Sequence, residues 1–374
     1  MEFSKLPTPC YVVDEGKLKK NLSVLRQVQD ETGCKILLAQ KCFSMFAEYP
    51  LIGRYLVGTT ASGLYEARLG AQEMGGETHI FTPAYKDCDF DEIAHLCDHI
   101  IFNSFAQMEK YRCRCGNVSI GIRINPEHST QEEQAIYDPC APGSRLGVTR
   151  EQFRPDLLAG VDGLHFHTLC EQDADALAAT LQTVEEKFGE FLYGMKWLNM
   201  GGGHHITRPG YNIPLLLKCI RHVQETYGVK VYLEPGEAVA LNAGYLITEV
   251  LDIVQNSGIT TLILDASAAC HMPDVLEMPY RPPLKDSGRP GEKAYTYRLS
   301  SYTCLAGDII GDYSFDAPVK IGDRLCFEDM AIYSMVKNNT FNGIPLPAIA
   351  AMREDGDCRI IRSFGYEDFK SRLS

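Results

Sequence analysis

Short apolar runs recur through the first two-thirds of the chain, at 35–39, 55–60, 78–82, 99–103, 119–124, 163–167, 197–200 and 230–234. Each has the length and composition of a buried strand. Between them, apolar residues return every three or four positions, as in 62–74, 173–188 and 213–227, which predicts amphipathic helices. Eight strands alternating with helices predict a (β/α)8 barrel, and an open doubly wound sheet is the alternative with the same periodicity. Ahead of this series, Cys10-Tyr11-Val12-Val13 reads as a strand, and Asp14 is placed to cap a helix carrying Leu18, Leu22, Val24, Leu25 and Val28.

After Glu234 the helical pattern fades. The segments 245–255, 260–265, 294–303, 324–328 and 358–362 alternate like strands and are separated by Gly, Pro and Asp turns, which predicts an antiparallel β domain. The expected class is therefore α/β, with a barrel over 13–239 and a second domain made of 1–12 plus 240–374. Met278-Pro279-Tyr280-Arg281-Pro282-Pro283 and the stretch 285–293 read as surface connections.

A length of 374 residues accommodates a barrel of roughly 250 residues and a smaller partner domain. The start, Met1-Glu2-Phe3-Ser4-Lys5-Leu6-Pro7-Thr8-Pro9, carries no apolar run of the signal-peptide kind, and no later stretch approaches a membrane span, so a cytoplasmic location is expected. The 14 cysteines follow no repeating framework and are expected to be reduced, most of them buried. Cys113-Arg114-Cys115 lacks the spacer and the second pair of a zinc site. A net charge of −13 argues against a nucleic-acid partner and suits a cationic small molecule, although many cytosolic enzymes are as acidic.

The candidate chemistry lies at the carboxyl ends of the barrel strands, where parallel α/β folds keep their sites. Lys35-Ile36-Leu37-Leu38-Ala39-Gln40 runs into Lys41, a candidate Schiff-base lysine whose plain alternative is a solvated loop residue. Arg123 and Asn125 end the fifth strand and His167 the sixth. Gly201, Gly202 and Gly203 end the seventh, where backbone amides would wrap a phosphate or simply form a turn. Glu234, in Leu233-Glu234-Pro235-Gly236-Glu237, ends the eighth, and a carboxylate there would keep a pyridine nitrogen protonated. His165 shares a strand face with His167, so either ring would lie on an aromatic cofactor or serve as a core histidine. His204-His205 lacks a carboxylate partner for a metal, and no metal site is expected. Cys304, with Asp308 four residues on, is a candidate proton donor to a carbanion; its alternative is an ordinary buried thiol.

Taken in order, Lys41, His167, the glycine triplet, Glu234-Pro235-Gly236, Cys304 with Asp308, and Glu328-Asp329-Met330-Ala331-Ile332-Tyr333 resemble the alanine-racemase-like pyridoxal-phosphate decarboxylases of basic amino acids over nearly the whole chain. The likeness is strongest to the branch acting on carboxylated triamines, carboxynorspermidine and carboxyspermidine, through Glu234-Pro235-Gly236-Glu237-Ala238, His271-Met272-Pro273-Asp274, Glu277-Met278-Pro279-Tyr280-Arg281-Pro282 and Thr340-Phe341-Asn342-Gly343. The resemblance implies pyridoxal 5'-phosphate on Lys41, contacted also by Arg123, His167, Gly201, Gly202, Gly203, Glu234 and Tyr333, with Cys304 as general acid. It further implies a homodimer in which the β-domain loops of one subunit complete the barrel site of the other. Ornithine and diaminopimelate decarboxylases carry an arginine where this chain has Glu237, and ornithine decarboxylase has an aspartate where it has Leu305. A carboxylate at Glu237 would repel an acidic substrate tail and attract an amine, and Glu237, Asp274, Glu277 and Asp308 are the candidate acids for a polyamine. The alternatives are an ornithine or diaminopimelate decarboxylase, an inactive regulator on the same fold, or a cofactor carrier.

Overall fold

The computed structural model describes residues 3–131 and 135–374, so the first two residues of the amino-terminal stretch, Met1 and Glu2, lie outside it. The chain divides into two compact units, one of residues 21–239 and one of residues 1–20 with 240–374.

The first unit is built on strands β2 (Lys35–Ala39), β3 (Gly58–Ala61), β4 (Glu77–Phe81), β5 (His99–Phe102), β6 (Ser119–Arg123), β7 (Gly163–His165), β8 (Trp197–Asn199) and β9 (Lys230–Leu233). All neighbours are parallel, and β9 returns to β2 to close a barrel, which decides against the open sheet. Leu37, Ile101, Trp197 and Tyr232 meet inside it. Trp197 needs room there: a Cβ at Gly121 or Gly163 would come within 2.3 and 2.1 Å of its ring, so these two strands approach the indole as bare backbone. The helices predicted at 173–188 and 213–227 appear as Ala174–Leu192 and Ile213–Tyr227. The one predicted at 62–74 is helical over Leu64–Leu69 and finishes in a π-turn, Gly70–Met74.

The second unit is a sheet formed by β1 (Cys10–Asp14), β10 (Gly244–Asn256), β11 (Ile259–Leu264), β12 (Tyr295–Ser301), β13 (Ile309–Phe315), β14 (Arg324–Glu328), β15 (Ala348–Met352) and β16 (Cys358–Arg362). It is mostly antiparallel, with β1–β15 and β11–β12 as parallel pairs. Strand β1 is buried on both faces: Cys10 and Val12 join one apolar cluster with Tyr245, Ile247 and Ala350, while Tyr11 joins the other with Leu246, Leu264 and Phe327. Asp14 Oδ1 accepts from the Lys17 amide at 3.0 Å, capping the helix Glu15–Thr32 as expected. Among the described residues, no helix is long and apolar enough to cross a membrane.

Candidate active site

In the barrel unit, the strand ends hold a linked set of polar side chains. Glu234 follows β9 and is almost fully buried. Its Oε1 accepts from Asn199 Nδ2 at 2.8 Å, and its Oε2 lies 3.3 Å from His165 Nε2. Burial by itself would raise the carboxyl pKa, but His165 first, then His79 and the Asn199 hydrogen bond, outweigh it and bring Glu234 to about 2. His165 is held in its neutral form by burial, so its Nε2–H donates to Glu234, while its buried Nδ1 has no partner in the structure. Glu234 therefore stays ionised at neutral pH, and its charge in turn helps to keep the buried Arg123 guanidinium charged.

Lys41 follows β2 by two residues. It keeps open solvent surface but is crowded by protein on most sides, as in a concave mouth. That crowding, reinforced by Arg123, lowers its amine pKa against the opposing pull of Glu234, which favours the nucleophilic neutral form. Arg123 itself is buried: its Nη2 donates to the His167 carbonyl at 3.0 Å, and its guanidinium carbon stands 4.4 Å from the Phe81 ring centroid. His167 is driven strongly neutral, first by burial and then by Lys41 and Arg123. Its Nδ1 accepts from the Gly202 amide at 2.8 Å, which places the ring proton on Nε2.

The glycine run is tighter than a flexible turn. Gly201 and Gly203 have φ of +68° and +80°, and a Cβ at Gly203 would stand 1.9 Å from the Leu169 carbonyl oxygen. Two of its three amides are already engaged, Gly201 by Asn199 Oδ1 at 2.9 Å and Gly202 by His167. This narrows the expected anion contact to the Gly203 end of the run. Glu237 opens the short helix Glu237–Ala240. Burial, with Glu171 and then Glu237, pushes the Cys170 thiol up to about 12.

The sheet unit holds the remaining candidates. Cys304 is exposed on the β12–β13 loop between Tyr302 and Leu305, also exposed, and its amide donates to Asn342 Oδ1 at 2.8 Å. A buried thiol is thereby excluded. Asp308 corrects an expectation. It is buried, and its carboxylate accepts from Ser267 Oγ and Ser301 Oγ at 2.6 Å, Thr303 Oγ1 at 2.5 Å and the Ala269 amide at 3.1 Å. With those donors in place it has no face for a substrate ammonium, and it fixes the loop that carries Cys304 instead. Asp274 and Glu277 lie on one helical turn, Asp274–Glu277, and both pair with Lys337. His271, just before that turn, is locked by the Ser267 amide on Nδ1 and by Nε2–H donation to the Pro345 carbonyl. Tyr333 adopts φ of +45°, a strained value for a non-glycine residue.

Asn199 and Lys337 escape the motif reading, because their partners are distant in sequence, and Asn342 lies in a quoted motif without its contact to Cys304 being foreseen. Of the first two, Asn199 alone had a signal, its place at a strand end two residues before the glycine run.

Residues 10–331 match the family model described as pyridoxal-dependent decarboxylase, C-terminal sheet domain. The chain belongs to the pyridoxal-dependent decarboxylases. It is 42% identical to the carboxynorspermidine/carboxyspermidine decarboxylase of Campylobacter jejuni, over 100% of both chains, and 42% identical to the carboxyaminopropylagmatine decarboxylase of Synechocystis, over 99% and 96%. It resembles the crystal structure of the Campylobacter jejuni carboxynorspermidine decarboxylase complexed with norspermidine, with a TM-score of 0.93, 41% identity and coverage of 98% and 100%. The family resemblance read from the motifs, the barrel with its sheet domain, and pyridoxal phosphate as cofactor all stand.

Pyridoxal phosphate suits these residues on the structure's own terms. Glu234 offers a buried anion for the ring nitrogen, Lys41 an amine with its neutral form favoured, and His167 a neutral imidazole. The turn through Gly201 and Gly203, both at positive φ, brings bare backbone to the same strand ends.

Proposed function

We propose that this decarboxylase acts on carboxynorspermidine and carboxyspermidine, releasing carbon dioxide and norspermidine or spermidine. The reading is carried by the pairing of an amine of lowered pKa, Lys41, with a carboxylate held ionised, Glu234, in one barrel unit. Glu237 supports the cationic substrate, since a carboxylate there disfavours a substrate ending in a carboxylate, as diaminopimelate does.

In this reading Lys41 would hold the cofactor, its lowered pKa keeping a neutral amine available for that bond. Pyridoxal phosphate supplies the sink for the electron pair left on carbon when the bond to the carboxylate breaks. Glu234 keeps a proton on the ring nitrogen, with Asn199 and His165 holding it in position. His167, fixed by Gly202 and Arg123, would pack against the cofactor, and Gly203 and Tyr333 would hold its phosphate. The Cys304 thiol would donate a proton to the substrate carbon that has lost its carboxylate. Asp274, Glu277 and Glu237 receive the substrate's ammonium groups. The active form is a homodimer, the barrel of one subunit working with Cys304 of the other, and its location is the cytoplasm.

Purified holoenzyme is assayed for carbon dioxide release from carboxynorspermidine, carboxyspermidine, carboxyaminopropylagmatine, ornithine and diaminopimelate. The two carboxytriamines are expected to give the highest kcat/KM, within roughly 10–200-fold of each other because they differ by one methylene. A higher kcat/KM for any of the other three refutes the assignment.

A further inference from the structure

Two of the three acids assigned to the substrate, Asp274 and Glu277, are already paired within the chain. Lys337 Nζ bonds Asp274 Oδ1 and stands 2.6 Å from Glu277 Oε2, and the three side chains keep 29%, 21% and 53% of their surface respectively. Asp274 and Glu277 are three residues apart on one turn, so without a cation between them they would repel. A lysine side chain ends in a primary alkylammonium, the same group that ends a linear polyamine.

We propose that Lys337 is an internal stand-in for the substrate's terminal ammonium, seated on Asp274 and Glu277 in the free enzyme and exchanged for that ammonium on binding. The inference rests on the functional reading above. Exchanging one ammonium for another never leaves the part-buried carboxylates bare, which makes the step cheap where simple burial of charge would be costly. The local anchoring allows it. Two residues beyond Lys337, Asn339 ties the segment to the sheet unit through Asn339 Nδ2 to the Ala269 carbonyl at 2.8 Å and its amide to the Cys270 carbonyl at 2.9 Å. Lys337 itself is a long, flexible side chain that is only part-buried. Because the lysine competes, it lowers affinity for every amine, the product included, and so sets KM and product release rather than the chemical step.

The test is the dissociation constant of norspermidine for holoenzyme, measured by calorimetry on the wild type, Lys337→Met and Lys337→Arg. If the pair is vacant about one time in ten in the free enzyme, removing the competitor tightens binding about tenfold in Lys337→Met. Arginine presents two parallel donors to the carboxylates and holds them harder, so Lys337→Arg is expected to bind norspermidine several-fold more weakly. Lys337→Arg keeps the charge that supports the fold, so it decides the matter even where Lys337→Met fails to fold. A merely structural ion pair predicts weaker or unchanged binding for Met and unchanged binding for Arg, and either result overturns the inference. Turnover of carboxynorspermidine by the wild type is measured alongside. With turnover present and Arg binding unchanged, only the role of Lys337 is lost; with neither turnover nor norspermidine binding in the wild type, the functional reading falls as well.

Discussion

At the scale of single residues, the chemistry depends on a carboxylate that remains charged although buried. Glu234 achieves this through hydrogen bonds from Asn199 and His165, close enough to Arg123 for the two charges to act on each other. In the proposed reaction that charge would hold a proton on the cofactor's ring nitrogen. Glu234→Gln keeps shape but removes the charge, and is expected to lower kcat by roughly two to three orders of magnitude, the range for losing one preorganised electrostatic partner of a developing charge. The variant should still take up pyridoxal phosphate, seen as visible absorbance, because Lys41 is intact. Wild-type kcat in a coloured Glu234→Gln enzyme would contradict the role. The strand-end positions of Lys41, His167 and Glu234 were legible in the sequence because each stands within two residues of an apolar strand. Asp308 was misread. An acid near a candidate proton donor suggests substrate binding, and its saturation by Ser267, Ser301 and Thr303 depends on hydroxyls brought together only by the folded sheet.

At the scale of elements, eight barrel strands could be read because parallel strands buried on both faces are nearly continuous apolar runs. β13 and β15 could not. β15 is Ala-Ile-Ala-Ala-Met, a composition that favours helix, and it is a strand because it pairs with β1 more than 330 residues earlier in the chain. β13 carries Gly311 and Asp312 mid-strand, which read as a turn. A second illegible feature lies at the amino ends of β4 and β5. There Glu77 pairs with Lys35 and, at 3.2 Å, with His79, whose ring stacks on His99 with centroids 3.9 Å apart. Burial would raise the Glu77 pKa, but His79 and Lys35 bring it to about 2 from 4.5, while burial and His79 bring His99 to about 3 from 6.5. Both groups bind protons more readily when unfolded. Stability should thus fall as pH drops below 6.5 through His99, and further below 4.5 through Glu77. His99→Phe removes one titrating group, so between pH 6.5 and 4.5 its stability-against-pH slope should be shallower by up to about one proton. Urea unfolding across that range measures it, and identical slopes in the two proteins would show that His99 does not contribute.

At the scale of the whole molecule, the candidate groups are split between two units. Lys41, His167, Gly203 and Glu234 belong to residues 21–239, while Cys304, Asp274, Glu277 and Tyr333 belong to the unit containing residues 240–374. Chain order exposes both halves but is silent on whether a working site draws them from one polypeptide or two. In the proposed homodimer each site takes Lys41 from one subunit and Cys304 from the other, and this has a consequence that stoichiometry makes quantitative. Lys41→Ala and Cys304→Ala homodimers are each expected to be inactive or nearly so, the second by roughly two to four orders of magnitude. After subunit exchange at equal concentration, half of the dimers are mixed. In each mixed dimer one site inherits both lesions and the other inherits neither, so activity should recover to about a quarter of the wild-type value. If instead Lys41 and Cys304 serve the same site from one chain, every site in every dimer retains a lesion and mixing restores nothing. Recovery that rises with exchange time and vanishes when the two variants are kept apart by a membrane would establish the shared arrangement, and a flat baseline would refute it.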